Sequence, residues 1–550
     1  MHSEMPDAID NLSLRAIDIN SFSWSSRLAR IYCSDFTKLE SFYAWDPSDP
    51  ASLLRSCEAR QTAKIDTTQI SSVVFSQLKK RSAPTTALKN AEKLCDPRTV
   101  AVVTGQQAGL FGGPFFTLLK AITAISLSKK FEADNGIPTV PIFWIDSEDH
   151  DLEEVNKCSV LNKNLDLNRL ELNCQSTPEQ PVSTVSVGDN ISDVLNELWL
   201  TLPETEFSEN LRASLSKCYK PSSGLAQAFA DWLDLCLGDE GIVAFDSSDK
   251  SAKTLARAVF TNEIEHSGRT SKLATTAGTE LSELGYHSQV VPSDQSTALF
   301  KIEQKRELIR MAGNDFVVGG AKQTAATLNQ KITDTPELFS PSVLLRPIVQ
   351  DTLFPTIAYI AGPNELAYLG QLRKVYESFK VPMPVIYPRI SATVIDRASE
   401  KFLSKNNLSL DSLEAQDDRL LNNLVRESIP SDLEEALNAT EKDTQKNLLL
   451  VSQKIVAVDQ TLAGATKTTI SRIERDLQTL RTKIIQAAKR NDETLKRQLQ
   501  RTRAQAFPNG EPQEREISFV YFLNRYGPEI IGHLLKSLPL DVGKHWLLKI

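Results

Sequence analysis

Three polar motifs follow apolar runs of the kind that form buried strands, and their residue types could do chemistry. The first is the glycine-rich stretch TGQQAGLFGGP at 104–114, between a β-branched run and an apolar segment with helical spacing. A tight turn at the start of a helix exposes amide donors at the positive end of the helix, where anions bind. The stretch therefore predicts a nucleotide or phosphate site, with close strand-to-helix packing as the alternative. It carries neither a Walker A lysine nor the dinucleotide-binding spacing.

The second motif is the acidic stretch DSEDHD at 146–151, directly after the apolar run at 140–145. Ligands of parallel sheets collect at the carboxyl ends of strands, so this position favours function. Four carboxylates beside His150 could position an ammonium group, hold Mg²⁺ or relay a proton. A solvated acidic loop is the alternative, but crowding like charges costs free energy through repulsion, which favours a functional site.

The third motif joins LRPIVQD at 345–351 to YIAGPNELAY at 359–368. Arg346 offers a fixed, forked donor that suits a carboxylate or a phosphate, with a surface ion pair as the alternative. Glu365 and Tyr368 would lie one helical turn apart on the same face. Arg389 is a weaker candidate of the same kind as Arg346, and Lys120 is expected to face solvent from the first helix.

The elements that carry these motifs predict an α/β fold. Strand, glycine turn, helix and strand follow one another between 99 and 145, which is a βαβ unit and indicates a parallel sheet. Further strands are predicted at 241–246, 316–318, 343–345 and 385–386.

A helical arm is predicted where the composition changes to Leu, Ala, Glu, Lys, Arg, Gln and Thr. Apolar residues recur there at gaps of four and three from Val451 to Thr469, as in a coiled coil. This arm is either an interface between subunits or an internal antiparallel hairpin. The predicted segments are 1–97, mixed and helical; 98–160, the first half of the core; 161–240, a connecting insertion; 241–404, the second half of the core with a smaller insertion; 405–506, the coiled-coil arm; and 507–550, a C-terminal segment.

Composition excludes several classes of function. The formal charge of -8 and the pI of about 5.6 disfavour nucleic-acid binding, because phosphate contacts need a basic surplus. The 7 cysteines form no CxxC pair, which argues against a disulfide scaffold or a zinc site and fits a reducing compartment. The N-terminal stretch 1–20 does not resemble a signal peptide, and no run approaches the roughly 18 apolar residues that span a bilayer. We therefore expect a cytoplasmic protein without a membrane partner.

The order and separation of the motifs resemble the BshC family, the cysteine ligases of bacillithiol biosynthesis. The similar stretches are TGQQAGLFGGP at 104–114, PIFWIDSEDHDLEEVN at 141–156, GYHSQV at 285–290, LLRPIVQDTLFPTIAYIAGPNELAYLGQL at 344–372, VPMPVIYPR at 381–389, PNGEPQER at 508–515 and FLNRYGPE at 522–529. The resemblance implies a Rossmann-like core of the nucleotidyltransferase type, similar to class I aminoacyl-tRNA synthetases, with connecting insertions. It also implies a long α-helical coiled-coil domain through which the protein forms a homodimer.

The same resemblance implies the addition of L-cysteine to glucosaminyl-malate, which we expect to require ATP, with Mg²⁺ as a further candidate. In this hypothesis the glycine turn holds phosphates, and His150 accepts the proton of the attacking amine. Glu148, Asp149 and Asp151 hold the cysteine ammonium or Mg²⁺, whereas Arg346 and Arg389 bind malate carboxylates or phosphate. The catalytic candidates are His150, Asp149 and Glu148. The binding candidates are Thr104, Gly105, Gln106, Gln107, Gly109, Gly112, Gly113, Asp151, Arg346, Gln350, Asp351, Gly362, Glu365, Tyr368 and Arg389.

Two other functions remain open from the sequence. Glutamines occupy the turn where the synthetases carry a histidine-rich nucleotide signature, and the chain has no lysine-rich second signature of that type. The chain could therefore be a nucleotidyltransferase-like ligase for another amino acid and acceptor. It could also be a non-catalytic coiled-coil partner protein built on a nucleotide-binding fold, although the acidic motif argues against this.

Overall fold

A computed structural model describes residues 13–63, 66–293, 295–427, 431–455, 458–459, 461–491 and 493–550. The described residues divide into two compact units, one formed by residues up to 394 together with 511–550, and the other by 395–510. The strands are β1 Ser13–Asp18, β2 Val100–Gln106, β3 Thr139–Ile145, β4 Lys157–Leu161, β5 Leu167–Glu171, β6 Val243–Asp246, β7 Ser296–Ile302, β8 Arg306–Ala312, β9 Asp315–Val318, β10 Ala321–Thr324, β11 Phe339–Pro341, β12 Thr356–Ala361, β13 Val385–Pro388, β14 Ser391–Ile395 and β15 Lys544–Lys549.

Helices account for most of the remaining ordered chain in both units. The helices are α1 Arg27–Ser34, α2 Ser52–Thr62, α3 Thr68–Arg81, α4 Thr85–Lys93, α5 Phe115–Asn135, α6 Leu152–Val155, α7 Ile191–Thr201, α8 Ser208–Cys218, α9 Leu225–Leu237, α10 Lys250–Leu255, α11 Arg257–Glu265, α12 Arg269–Glu283, α13 Ala325–Asp334, α14 Arg346–Leu353, α15 Pro363–Leu369, α16 Arg373–Phe379, α17 Arg397–Lys405, α18 Arg419–Glu427, α19 Ser431–Ile455, α20 Leu462–Asn491, α21 Glu493–Ala506, α22 Gln513–Glu516, α23 Phe519–Tyr526 and α24 Ile530–Ser537. Among the described residues, no helix is both long and apolar enough to cross a membrane.

The core of the first unit is a five-stranded parallel sheet with the order β13-β12-β2-β3-β6. Every residue of β3 is buried, and all but the last residue of β2, as expected where helices cover both faces of a parallel sheet. The chain builds the sheet outward from β2 to β3 and β6, and later adds β12 and β13 on the other side of β2. The predicted parallel sheet and its βαβ unit are confirmed. The reversal of strand order places a topological switch point between β2 and β12, where open α/β sheets bind ligands.

One predicted strand is wrong, and another belongs to a different sheet. Residues 343–345 form a turn, because helix α14 begins directly afterwards at Arg346. The run at 316–318 is extended but lies in β9, within a separate antiparallel sheet of order β10-β9-β8-β7-β11. The strand that pairs with β2 on the side opposite β3 is β12, part of which lies in the third polar motif.

Helix α5 follows the glycine turn and is buried on all sides over residues 117–125. It packs against β2 and β3 on one side and against the C-terminal helices α22, α23 and α24 on the other. The rings of Phe115 and Phe522 stack with their centroids 4.2 Å apart across this second contact. The helix ends at Gly136, whose φ of +65° is a backbone conformation that favours glycine. A helix enclosed in this way shows little amphipathic pattern, so its sequence does not reveal which side faces the site.

The C-terminal strand β15 returns to pair antiparallel with β1, and β14 lies on its other side. His545 of β15 is buried between two hydroxyl groups, with Nδ1 2.7 Å from Ser391 Oγ and Nε2 2.9 Å from Thr393 Oγ1. Burial lowers the pKa of His545 to about 4, although the nearby Glu514 carboxylate opposes the shift.

The buried imidazole of His545 predicts a loss of stability in mild acid. An unfolded histidine has a pKa near its ordinary value of about 6.5, so below that pH the unfolded chain binds a proton that the folded chain refuses. The free energy of unfolding should therefore fall as the pH drops from about 6.5 towards 4, by on the order of 3 kcal/mol from this group. Urea denaturation across this range should show the fall in the wild type and a smaller fall in His545→Gln. The exposed His287 offers a matched control, because His287→Gln should keep the wild-type pH dependence; equal slopes for all three proteins would contradict the prediction.

The second unit contains the long helices α19 and α20, which pair antiparallel as a hairpin. Arg481 donates to the Glu441 carboxylate at 3.2 Å and to Asn438 at 3.0 Å, which sets the register of the pair. The apolar stripe from 451 to 469 does not lie on one continuous helix, because α19 ends at Ile455 and α20 begins at Leu462. The stripe instead runs down one helix and returns on the other, so the internal hairpin is the arrangement that this unit contains.

Candidate active site

The carboxyl ends of the five parallel strands carry most of the polar candidates. At this edge β2 ends in Gln106, Asp146 follows β3, β6 ends in Asp246, Gly362 follows β12 and Arg389 follows β13. Parallel pairing sets these ends side by side, since Gln106 faces Ile145 and Ile145 faces Asp246 across the ladders. The sheet thereby brings together residues that lie far apart in the sequence.

A buried lysine bridges the switch point between β2 and β12. Lys120 was expected to face solvent, and this prediction is wrong because the residue is only 2% exposed. Its ammonium donates to Gly105 O at 2.9 Å and to Gln106 Oε1 at 3.0 Å, and it forms an ion pair with Glu365. Burial lowers the pKa of Lys120 against the pull of Glu365. Burial alone would raise the pKa of Glu365, but the Lys120 ammonium and the Gly362 amide hold it below its ordinary value.

Arg346 lies beside this bridge, held by neutral partners. Its guanidinium donates to Gln350 Oε1 at 3.0 Å, to Tyr359 Oη at 3.3 Å and to Tyr368 Oη at 3.1 Å. Tyr359 in turn donates to Glu365 Oε1 at 2.8 Å, which links the arginine to the buried bridge. The expected proximity of Glu365 and Tyr368 in one helix is confirmed, since both belong to α15 and both take part in this network. The arrangement presents a buried, rigid guanidinium at the switch point.

The acidic loop after β3 forms a second polar cluster around Asp149, adjacent to the first because Gln106 and Gln107 are neighbours in the chain. Gln107 Nε2 donates to Asp149 Oδ2 at 2.5 Å, which connects the glycine turn to the acidic loop. His150 is partly exposed, with Nδ1 3.4 Å from Asp149 Oδ1. Glu148 points elsewhere and forms a buried ion pair with Lys253, so its expected catalytic role stays a prediction without support from its geometry. Asp151 is exposed and caps the short helix α6 by accepting from Glu154 N at 3.2 Å.

Arg306 completes the acidic loop from the antiparallel sheet, and the sequence offered no local signal for it. Its guanidinium donates to Asp149 Oδ1 at 3.2 Å and to Pro341 O at 2.9 Å. It lies 4.1 Å from the centroid of the Phe300 ring, which stacks against it and fixes its direction. His150 Nδ1 is 3.5 Å away. Arg306 therefore orients both Asp149 and the imidazole beside it.

Replacing Arg306 with Met should reduce the activity proposed below by about 10- to 100-fold, because Asp149 and His150 lose the group that orients them. Arg306→Lys should recover only part of the loss, since an ammonium lacks the forked geometry. Initial rates under saturating substrates measure the effect, and thermal unfolding shows whether the fold persists. Arg310 lies on the same strand and is exposed, so Arg310→Met is the matched control and should keep wild-type rates. Wild-type rates in Arg306→Met would remove the residue from the site.

The amide groups of the glycine turn are used inside the protein. Gly109 N donates to Gln107 O at 2.9 Å, Gly112 N to Gly109 O at 3.0 Å and Gly113 N to Leu110 O at 3.0 Å. A side-chain atom on Gly112 would lie 2.1 Å from the Phe519 ring, so this glycine is required by packing. The phosphate role expected for Gly109, Gly112 and Gly113 has no support in this geometry, because their amides already have partners.

Three further candidates also have structural partners. Thr104 Oγ1 donates to Ile360 O at 3.1 Å within the sheet, and fully buried Asp351 accepts from Tyr376 Oη at 2.6 Å. Arg389 donates to Glu514 Oε1 at 2.6 Å and lies near the switch point without touching Arg346. Among the described residues, no cluster of three or more His, Cys, Asp or Glu is arranged to hold a metal ion. Glu148 and Asp149 each pair with a cation in this arrangement, and Mg²⁺ stays a prediction.

The missed residues share one property, which is that each acquires its role only through a distant partner. Lys120 stands among apolar residues of α5, and a lysine inside such a run is the signal that could have found it. Tyr359 lay within a predicted motif but had no assigned role. Arg306 and Lys253 occur in segments without any motif, so only their three-dimensional neighbours identify them.

The fold and its switch point define a Rossmann-like α/β protein with polar side chains collected at the carboxyl ends of its strands and an added helical hairpin. Residues 12–390 match the family model described as "Bacillithiol biosynthesis BshC, N-terminal Rossmann-like domain", and residues 392–550 match "Bacillithiol biosynthesis BshC, C-terminal coiled-coil domain". The chain belongs to the BshC family, as its motifs predicted. The Rossmann-like core and the coiled-coil domain are likewise confirmed.

Relatives of known name are similar over nearly the whole chain. A protein of Salinibacter ruber is 32% identical over 523 residues, covering 94% of each chain, and one of Chlorobaculum tepidum is 32% identical, covering 82% of this chain and 83% of its own. A Bacillus velezensis protein is 29% identical and covers 84% of this chain and 86% of its own. All three are named "Putative cysteine ligase BshC". These names agree with the prediction that the chain is a ligase.

Proposed function

We propose that this chain joins L-cysteine to glucosaminyl-malate through an amide bond, at the carboxyl edge of its parallel sheet. The observation that carries the proposal is that side chains from three separate motifs collect at the carboxyl edge of the sheet. Gln107 binds Asp149 there, and Arg346 is linked through Tyr359 to the bridge of Glu365 and Lys120, which contacts Gln106. Family membership supports this choice of reaction, because the relatives carry the name "Putative cysteine ligase BshC" and the family model is one of bacillithiol biosynthesis.

The chemistry of the reaction explains the kinds of residue that are present. An amine does not displace oxygen from an ionised carboxylate, so the cysteine carboxylate must first be activated, and ATP would supply that activation as an acyl-adenylate or acyl-phosphate. His150 is partly exposed and oriented through Asp149 and Arg306, which suits a group that accepts a proton from the attacking amine. Arg346 suits a carboxylate, because its forked donors match two oxygens.

The direct test is to incubate the purified protein with L-cysteine, glucosaminyl-malate and ATP and to follow the product thiol by mass spectrometry. Product that depends on all three components supports the proposal, and omission of ATP or of Mg²⁺ tests each requirement separately. Gln107→Ala and Arg346→Ala should each lose at least about tenfold in rate. Full activity in both variants would mean that the reaction occurs at another site, and the absence of ligation product would refute the function.

Specificity for cysteine separates this function from that of a ligase for another amino acid. If the pocket recognises the thiol, the turnover rate with serine or alanine should be only a small fraction of the rate with cysteine. Equal rates with serine would favour the broader ligase, and a lack of binding to any amino acid or nucleotide in calorimetry would favour a non-catalytic protein.

We also propose a homodimer that forms along the helical hairpin. Leu449, Leu450 and Val451 of α19 and Leu462 and Leu480 of α20 are each at least 40% exposed, which is unusual for such a series of large apolar side chains. A second copy of the chain would cover them. Light scattering should give twice the chain mass of 61.1 kDa, and Leu449→Lys with Val451→Lys should return it to the monomer value. A monomeric wild type would refute this arrangement.

A further inference from the structure

Nearly every buried charge at the carboxyl edge has a direct partner of opposite sign. The ion pairs are Lys120 with Glu365, Lys253 with Glu148, Arg306 with Asp149, and Arg389 with Glu514. The two charges of each pair cancel, whereas burying a charge without a partner of opposite sign lowers the free energy of unfolding. A ligand that met any of these groups would have to displace an existing ion pair.

Arg346 and Asp146 depart from this rule. Arg346 is only 7% exposed, and its partners among the described residues are the neutral side chains of Gln350, Tyr359 and Tyr368. Asp146 follows β3 at the same edge, and among the described residues its carboxylate takes part in no ion pair or hydrogen bond. Burial raises the pKa of Asp146, and the positive charge of Arg346 opposes the rise. Tyr359 Oη, which accepts from Arg346, lies 3.6 Å from where an added Cβ on Gly105 would stand, and Gly105 pairs with Trp144, two residues before Asp146. Two charges of opposite sign therefore lie at neighbouring strand ends without a direct bond between them.

We propose that these two side chains form the subsite for the zwitterion of an α-amino acid, with its carboxylate on Arg346 and its ammonium on Asp146. The inference rests on the proposed ligase function and identifies the residues that hold its cysteine substrate. The phenol of Tyr368 is placed to support the bound carboxylate, because it already contacts the guanidinium at 3.1 Å. The sequence hypothesis gave the ammonium or Mg²⁺ to Glu148, Asp149 and Asp151. In the structure Glu148 pairs with Lys253, Asp149 pairs with Arg306, and exposed Asp151 caps α6.

A second acceptor follows β2, the strand beside β3. Gln107 Oε1 is buried and has no hydrogen-bond partner among the described residues, while its Nε2 is held by Asp149. A buried acceptor without a partner costs free energy unless a ligand satisfies it. An ammonium group has three donors, so it can use both oxygens of a carboxylate and one amide oxygen.

Calorimetric titration of wild-type protein with four small probes tests the subsite without any turnover. L-cysteine and L-alanine carry both charged groups, 3-mercaptopropionate lacks the ammonium and cysteamine lacks the carboxylate. We expect the two amino acids to bind and each truncated probe to bind about 10- to 100-fold more weakly than L-cysteine. Equal affinity for L-cysteine and both truncated probes would overturn the subsite, as would the absence of L-cysteine binding.

Two variants assign the two ends of the ligand. Asp146→Asn should weaken the binding of L-cysteine by about 10- to 100-fold. The affinity for 3-mercaptopropionate should stay the same, because that probe has no ammonium group for Asp146 to bind. Arg346→Lys should weaken the binding of L-cysteine and leave the affinity for cysteamine unchanged, because cysteamine has no carboxylate. Asp193, exposed on α7, provides the control, and Asp193→Asn should bind all probes as the wild type does. If Asp146→Asn bound every probe more weakly by the same factor, the variant would be misfolded. The relative affinities of the four probes for the wild-type protein would then decide whether the subsite exists.

The outcome also distinguishes the subsite from the function. Ligation product together with wild-type cysteine affinity in both variants would overturn the subsite and leave the function standing. The expected probe pattern without any ligation product would retain the amino-acid subsite and refute the ligase.

Discussion

Replacing Lys120 with Met is expected to lower the free energy of unfolding by about 3 to 5 kcal/mol, because Glu365 would lose the cation that compensates its burial. The ammonium is buried and also donates to Gly105 O and Gln106 Oε1, so its loss disrupts both sides of the switch point. Chemical denaturation at neutral pH measures the change. The same variant should lose the proposed activity, since Glu365 holds Tyr359, and Tyr359 contacts Arg346.

The partner of Lys120 provides a second arm of this experiment. Glu365→Gln keeps an acceptor for Tyr359 but removes the charge opposite the ammonium. The double variant should be less destabilised than the sum of the two single variants, with a coupling of about 0.5 to 3 kcal/mol, because it leaves no unpaired charge behind. Additive losses would show that the two groups do not interact in the folded protein.

A matched control lies on the same helix. Lys130 pairs with Asp134 one turn later, and both side chains are more than half exposed. Lys130→Met should change the free energy of unfolding by no more than about 0.5 kcal/mol, since exposed ion pairs contribute little. If Lys120→Met and Lys130→Met behaved alike, the buried bridge would be absent from the protein.

Local patterns in the sequence were sufficient to locate the first βαβ unit. The β-branched run of β2, the glycine turn and Pro114 mark the boundaries of strand and helix within a single stretch of chain. Ligands of such folds collect at the carboxyl ends of strands, so the acidic loop after β3 could also be placed at the correct edge. These inferences need no knowledge of distant contacts.

Other features depend on pairings that a single sequence does not display. Helix α5 is enclosed on all sides, so its periodicity gave no reason to place Lys120 inward, and its partner Glu365 lies 245 positions later in the chain. Strand β12 is short and directly precedes the Gly362 turn, so its polar neighbours obscured its character. Arg306 reaches the site from a different sheet, and no spacing rule connects it to Asp149.

The glycine turn illustrates how one pattern supports two different physical explanations. Its glycines could equally expose amides to a phosphate or allow close packing, and only the partners of those amides distinguish the two. In the structure the amides of Gly109, Gly112 and Gly113 are already paired, and Gly112 lies against Phe519 and Trp232. The glutamines are the part of the turn that reaches the site, since Gln106 contacts Lys120 and Gln107 contacts Asp149.

Gly112→Ala should therefore lower the free energy of unfolding by on the order of 3 kcal/mol or more. Gly112 has a φ of +96°, a conformation that strains any residue with a side chain. Its added methyl group would also lie 2.1 Å from Phe519 Cε1 and 2.9 Å from Trp232 Nε1, well inside van der Waals contact. Thermal or urea unfolding measures the loss, and Phe519→Leu in the same chain should recover part of it by removing the clashing ring atoms.

Gly136 separates backbone strain from the steric clash, because its φ of +65° is also positive but nothing lies within 4 Å of an added methyl group. Gly136→Ala should lower the free energy of unfolding by only about 1 kcal/mol, which is the backbone strain alone. The difference between the two variants therefore measures the cost of the steric clash at Gly112. A phosphate-binding turn predicts the opposite result, in which Gly112→Ala stays as stable as Gly136→Ala and loses nucleotide affinity instead. That result would restore the glycine amides to the active site and would require the contact between Gly112 and Phe519 to open in solution.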